Sequence, residues 1–182
     1  MFLEELIVMK EKNWYVIYTN PRAEKKVAER FEEVGFTYFL PLYKEVRQWS
    51  DRKKKVEVPL ISSVIFLNVE ENELSRLYDI HGVRGVLKEH GKFAVAKQQE
   101  IENLKIIIRE WQGEHIAVEH TETFEEGDVV LVQKGPFKGL TGVSVKIKGK
   151  HRLCVRIETL NLNYTVDLAK SAVEKIKEQR VA

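Results

Sequence analysis

Between Lys44 and Lys55 the chain carries six Lys/Arg against two acids, a local charge of +4, with Trp49 among them. Cations at this density can neutralise phosphates, and an indole beside them can stack on an unpaired base. The competing reading is a solvated turn whose charge stops a strand edge from pairing. Arg22, Lys26 and Arg30 recur every four residues and so fall on one helical stripe. That stripe can meet phosphates, or it can pair with Glu29, Glu32 and Glu33. Bond-making chemistry has less support. The five histidines are scattered, and His115 and His120 have neither a Cys pair nor a His-Glu-x-x-His spacing around them. Ser62 and Ser63 lack the flanking glycines of a nucleophile elbow. Cys154 sits in an apolar alternation, Leu153-Cys154-Val155, that suits a core position. We therefore expect no cofactor, no metal and no catalytic residue: a binding protein and not an enzyme.

The composition sets limits on the partners. Of 182 residues, 43% are hydrophobic and 32% charged, enough to bury a core and remain soluble. A net charge of +2 argues against a protein that simply coats nucleic acid. Residues 123–182 hold 11 Lys/Arg and 7 Asp/Glu, a charge of +4, and residues 1–122 hold 19 and 21, a charge of −2, so any nucleic-acid contact should be through patches. One cysteine allows no intrachain disulfide. The start of the chain lacks a signal-peptide pattern, and no stretch approaches the roughly 18 apolar residues of a membrane span. These features are those of a cytoplasmic monomer with no membrane contact.

The elements that must position these residues are legible as patterns. Trp14 to Thr19 reads as a strand. Asn20-Pro21 should cap a helix on which Ala23, Val27, Phe31 and Val34 recur and which Gly35 closes. Tyr38 to Trp49 and Val56 to Val69 read as strands around a hairpin tip at Ser50 to Lys55. A short helix should cover Leu74, Leu77 and Tyr78, with one or two short strands from Gly82 to Val95. Ile101, Leu104, Ile107, Ile108 and Trp111 form a helical stripe. This order predicts an α+β domain, 13–111, with helices flanking a largely antiparallel sheet. The polar stretch 112–123 reads as a linker. From Phe124, segments at Val129 to Val132, Thr141 to Lys148, Leu153 to Ile157, Tyr164 to Leu168 and Val173 to Ile176 predict a five-stranded β-barrel over 124–178. Gly135 and Gly139 allow a tight loop, Pro136 stiffens it, and Gly142 permits close strand approach. Phe137 is then either held out on the loop tip or folded back on the barrel.

Glu126-Gly127-Asp128-Val129-Val130, followed by Gly135-Pro136-Phe137-Lys138-Gly139-Leu140-Thr141-Gly142-Val143, resembles the KOW motif of the NusG family and of several ribosomal proteins. Asn13-Trp14-Tyr15-Val16-Ile17-Tyr18, with Phe39-Leu40-Pro41-Leu42 beyond it, resembles the N-terminal domain of the same family. The resemblance implies a NusG N-terminal-like domain followed by an SH3-like KOW barrel, in a transcription elongation or antitermination factor that suppresses pausing or termination. It implies that Tyr18, Leu60, Ile61, Val64 and Phe66 meet the clamp of the largest RNA polymerase subunit. Arg22, Lys26, His81 and the tip residues Arg52, Lys53, Lys54 and Lys55 would face DNA near the transcription bubble. Pro136, Phe137 and Lys138 would take a second partner, a ribosomal protein or Rho. Where the family usually has a Phe-Pro-Gly-Tyr-type run, this chain has Ile61-Ser62-Ser63-Val64, and the combination of Trp14 to Thr19, Phe39-Leu40-Pro41-Leu42 and Pro59-Leu60-Ile61-Ser62 looks more like the specialised RfaH and UpxY-type paralogues of polysaccharide operons. The rival readings are a housekeeping NusG and a ribosome- or RNA-binding KOW protein. The β-prone segments after Val129 predict strands there and not a helical hairpin.

Overall fold

The computed structural model describes residues 11–49, 52–111, 116–119, 127, 129–147, 150–167 and 173–175. It divides into two compact units: one formed up to Leu40 and by Ser62–Val95, the other by Pro41–Ile61 and the chain from Ala96 onward.

In the first unit, β1 (Asn13–Thr19) lies between β5 (Val64–Val69) and β6 (Val83–Val86), and β2 (Thr37–Phe39) pairs the far side of β5. All these pairings are antiparallel, with Val16 opposite Phe66 and Tyr18 opposite Val64. Strand alternation therefore puts Tyr15, Ile17, Ile65 and Leu67 on one face. Those four join Val27, Ala28 and Phe31 of α1 (Glu24–Val34) and Leu74 and Leu77 of a 3-10 helix (Glu71–Asp79) in one core. The α1 stripe is as expected, and Gly35 closes it in the left-handed region at φ 81° while Phe36 N–H donates to the Phe31 carbonyl.

The start of α1 differs from expectation. Ala23 N–H donates to the Asn20 carbonyl, which makes a turn over 20–23, and the helix begins only at Glu24 with no side-chain cap. Arg22 consequently lies outside the helix, at φ 63°, and not on its stripe. The Glu24 carboxylate is instead drawn across to the β4–β5 connection, where it accepts the Ser63 N–H at 2.7 Å. Gly82 follows His81 at φ 96°, and a Cβ there would stand 2.9 Å from Val27 Cγ2. Only glycine lets this turn pack so closely on α1.

In the second unit, β3 (Leu42–Gln48) and β4 (Lys53–Pro59) form a long hairpin with Lys44 opposite Glu57 and Gln48 opposite Lys53. The tip is shorter than expected, because Lys53, Lys54 and Lys55 already belong to β4. Short strands β7 (Lys88–Glu89) and β8 (Lys92–Phe93), which belong to the first unit, pair with each other, and β9 (Val95–Ala96) pairs β1. Then comes α2 (Gln98–Arg109). The C-terminal strands β10 (Ile116–Glu119), β11 (Val129–Val132), β12 (Thr141–Ile147), β13 (Lys150–Ile157), β14 (Leu162–Asp167) and β15 (Val173–Lys175) follow in the order β10-β14-β13-β12-β11-β15.

The region expected to be a five-stranded barrel is thus a six-stranded sheet, and no pairing closes it among the described residues. The additional strand, β10, falls inside the stretch expected to be a linker. Ile116, Ala117 and Val118 are a short apolar run flanked by Glu and His residues, and the strand pairs β14 antiparallel. The expected strands are otherwise in place, and the C-terminal region is sheet and not helical hairpin. At Gly142 an added Cβ would collide with the Cys154 carbonyl oxygen, so the strand contact there requires glycine.

Candidate interaction surfaces

The clamp-facing residues inferred from the resemblance divide sharply by exposure. On β1 and β5, Tyr18 is 38% exposed, whereas Val64 and Phe66 are buried and Phe66 stacks on Phe39 with ring centroids 6.1 Å apart. In the second unit, Leu60 is half-buried and Ile61 buried; Leu60 N–H donates to the Pro41 carbonyl, tying the end of β4 to the start of β3. Tyr18, Val64 and Phe66 share one face of the sheet, and the exposed one, Tyr18, sits at the strand end where β1 and β6 lose register. Tyr18 offers a phenol whose ring can bury and whose hydroxyl can stay wet.

The cationic residues form two groups. In the first unit Arg30 Nη1 donates to the His81 carbonyl at 2.8 Å, so α1 and the His81 turn lie side by side. Lys26, one turn back, is exposed, as are His81 and Arg22. The structure thus brings Lys26, Arg30 and His81 to one surface, and strands Arg22 in the turn before it. The β3–β4 hairpin is the second group. Arg52, Lys53, Lys54 and Lys55 are exposed, and Trp49 is 53% exposed with its N–H donating to the Arg52 carbonyl across the tip. Pairing Arg47 with Lys54 and Val46 with Lys55 spreads the cations over both faces of the ribbon. At the opposite end of the hairpin, the Tyr43 ring packs on Trp111 with centroids 5.1 Å apart.

The KOW-like loop departs from the exposed-tip reading. Gly135 and Gly139 have φ of 87° and 92°, as a tight loop requires, and Pro136 and Lys138 are exposed. Phe137, however, is only 8% exposed. Beside this loop lies a residue set on α2 that the sequence reading passed over. Arg109 Nη2 of α2 donates to the Pro136 carbonyl at 2.9 Å, and Gly139 lies so near α2 that an added Cβ would be 3.5 Å from Ile106 Cδ1. Further along α2, Asn103 Nδ2 donates to the Thr141 carbonyl at 2.9 Å and its Oδ1 accepts the Thr141 N–H at 3.2 Å. The Glu100 carboxylate accepts the Lys97 N–H at the helix start, and also the Thr159 N–H at 3.3 Å and hydroxyl at 2.7 Å. Glu100 and Asn103 are 4% and 5% exposed. The legible signal was Glu100 three residues after Lys97, and Asn103 three further on, interrupting an apolar stripe. The side chains at 146–151, including the cations around Gly149, lie outside the described set.

An open cleft is lined by Glu11, Asn13, Tyr15, Glu70, Glu71 and Asn72. Burial, and then the nearby Glu71 charge, push the Tyr15 phenol above its ordinary value. Among the described residues no group of His, Cys, Asp and Glu is placed to hold a metal ion, and no helix is long and apolar enough to cross a membrane.

Residues 12–105 match the family model described as transcription termination factor nusG. The transcription termination/antitermination protein NusG of Rickettsia felis is 26% identical over 188 residues, covering 95% of this chain and 96% of that protein. The Rickettsia typhi protein of the same name is 26% identical over 176 residues, covering 90% of each. Among solved structures, one concerning domain interaction in Thermotoga maritima NusG matches with a TM-score of 0.45 and 22% identity, over 92% of this chain and 98% of that one. A Spt4:Spt5 complex chain matches with a TM-score of 0.29 and 19% identity, over 91% and 99%. The family model spans more than half of the chain, and the chain belongs to the NusG family of transcription termination and antitermination factors.

Proposed function

We propose that the protein binds the clamp of the largest RNA polymerase subunit and suppresses pausing or termination, as a specialised, operon-specific member of its family. The observation that carries this reading is the family match over 12–105, the region assigned to polymerase binding in a 13–111, 112–123, 124–178 division of the chain. The residues assigned to that contact are Tyr18, Leu60, Ile61, Val64 and Phe66, of which Tyr18 and Leu60 keep exposed surface. Holding a polymerase cleft closed is a shift in a conformational equilibrium and needs differential binding only, so no catalytic group is called for. The exposed cations of the hairpin, with Lys26 and His81, lie against DNA near the bubble, where Trp49 can stack on an unpaired base. The KOW-like loop Pro136-Phe137-Lys138 takes a second partner, a ribosomal protein or Rho, with the C-terminal strands completing an SH3-like barrel. The protein acts as a cytoplasmic monomer.

One experiment with two arms tests the reading. Tyr18→Ala should reduce retention of purified RNA polymerase on the immobilised protein at least tenfold with an unchanged circular dichroism spectrum, consistent with the roughly 1.5–3 kcal/mol of a large buried apolar side chain. Undiminished retention removes the clamp assignment. Replacing Arg52, Lys53, Lys54 and Lys55 with Ser should lower the log–log salt slope of complex formation on a DNA bubble by about 0.7–0.9 per lost phosphate contact. An unchanged slope makes the hairpin a solvated edge.

A further inference from the structure

Tyr18 stands where the sheet stops holding β1. On one side, the pairing of β1 with β6 changes register between Tyr18 and Thr19. On the other, Tyr18 faces Val64, the first residue of β5, and Ser63 before it leaves the extended region at φ 61°. A residue with a Cβ rarely adopts such a φ and keeps it only where its surroundings impose it. Serine stands here where the Phe-Pro-Gly-Tyr-type run of the family has glycine, for which this φ is unstrained. Glu24 supplies the restraint. It lies in the first turn of α1, where free backbone N–H groups favour a negative charge, it is 5% exposed, and its carboxylate accepts the Ser63 N–H at 2.7 Å. The Ser63 carbonyl in turn accepts the N–H of the buried Thr19 at 2.9 Å. The directions of that N–H and that carbonyl are set by the φ and ψ of Ser63. Both bonds therefore hold together only while Ser63 stays left-handed.

We propose that Glu24 is a positioning residue for the Tyr18 phenol, acting through Ser63 and Thr19. The carboxylate holds Ser63 left-handed, the Ser63 carbonyl holds the Thr19 N–H, and the buried Thr19 fixes the direction in which Tyr18 leaves the sheet. A carboxylate suits this task, since a charged acceptor makes a shorter and stronger bond to an N–H than a neutral one does. Glu24 itself is too deeply buried to meet a partner. This rests on the reading of Tyr18 as a polymerase contact, and it names what sets the geometry of that contact. A pose fixed before binding leaves less conformational freedom to lose when the partner arrives. A carboxylate that served α1 alone, as a favourable charge at the helix start, would need no bond to Ser63, and shortening it would leave Tyr18 where it is.

Glu24→Asp in the full chain, made alone and in a Ser63→Gly background, tests this. Aspartate keeps the charge at the start of α1, but its arm is one methylene shorter and leaves the Ser63 N–H out of reach. Made alone, Glu24→Asp should shift the NMR resonances of the Tyr18 ring, assigned with Tyr18→Phe. It should also raise the Kd for purified RNA polymerase at least about fivefold, because apparent affinity falls with the fraction of molecules that keep the pose. In the Ser63→Gly background the same change should leave the Tyr18 resonances in place and move Kd by less than about twofold, since glycine holds a positive φ unaided. That dependence on residue 63 upholds the positioning role, which support of the fold alone would not produce. A Glu24→Asp defect of equal size in both backgrounds, in folding or in binding, makes Glu24 a support of α1 and overturns the proposal. Unmoved Tyr18 resonances in Glu24→Asp overturn it too. Tyr18→Ala separates the two levels. Full retention of polymerase by that variant removes the clamp reading and the proposal with it. Lost retention by Tyr18→Ala beside an unchanged Kd in Glu24→Asp leaves the clamp reading and removes the positioning role alone.

Discussion

The two helices are nearly the same length and use their buried faces differently. α1 presents Val27, Ala28 and Phe31 to a single apolar core, with rings of Phe36 and Tyr38 about 6 Å from Phe31, and its one buried acid holds a neighbouring turn. α2 buries an equally apolar stripe and, beside it, Glu100 and Asn103, whose bonds are directional and go to backbone atoms. Apolar burial is indifferent to small shifts and adds up with area, whereas hydrogen bonds fix register and are readily exchanged for water. The difference teaches that α1 is built to stay and α2 to hold a particular position. Substitutions along the two helices can break that contrast or sharpen it.

The largest effect should be Phe31→Ala. Phe31 is fully buried, and removing its ring should cost about 3–5 kcal/mol, read as a fall in the urea midpoint at unchanged slope. A loss below about 1 kcal/mol would mean that α1 is not sealed by packing. Next is Gly82→Ala, which meets Val27 at 2.9 Å and must hold φ near 96°. Strain in that region and overpacking each cost about 1–3 kcal/mol, so a destabilisation of at least about 1 kcal/mol is expected in the same measurement. A neutral Gly82→Ala would show that the His81 turn can move away from α1, and that the Arg30–His81 bond does not fix it.

Much of this contrast was legible in the residue pattern, and the illegible part has a physical cause. The α1 stripe, the C-terminal strands, the close approach at Gly142 and the membership of the NusG family follow from periodicity and motif. Those signals are local and redundant, since several residues repeat the same message. The start of α1 was misplaced because Asn20-Pro21 favours both a cap and a turn, and the long-range pull of Ser63 on Glu24 chose the turn. β10 was hidden because a run of three apolar residues, Ile116 to Val118, among glutamates and histidines is too short to mark a strand. The contacts of Arg109 and Ile106 with the loop at 136–139 join positions some 30 apart, and no local rule reaches that far. Glu100 went unread, because only one of its three bonds, to Lys97, is local, and the two to Thr159 exist only in the folded chain.

The smallest expected effect separates the buried and exposed ends of the α2 contact. Lys97 pairs with Glu158, but both side chains are more than half exposed, whereas the adjacent Glu100 is buried. The hydrogen bond to Glu158, and then its charge, raise the Lys97 ammonium above its ordinary value. A raised value in the folded state means that the pair stabilises fully below the unfolded lysine value of about 10.4, and that this contribution fades as pH rises through the folded value. Exposure and salt keep such a pair to about 0.2–1 kcal/mol. Lys97→Gln should therefore cost under about 1 kcal/mol near neutral pH, less in high salt, and should abolish a small loss of stability above pH about 10.4. Glu100→Gln keeps the shape but replaces a charged acceptor of three donors, and should cost about 1.5–3 kcal/mol. The two substitutions sit one helical turn apart on the same contact, so their ratio is independent of how strongly α2 packs elsewhere. Equal costs would place the strength of the contact at its surface, and would remove the distinction between α2 as a polar fastening and α1 as an apolar seal.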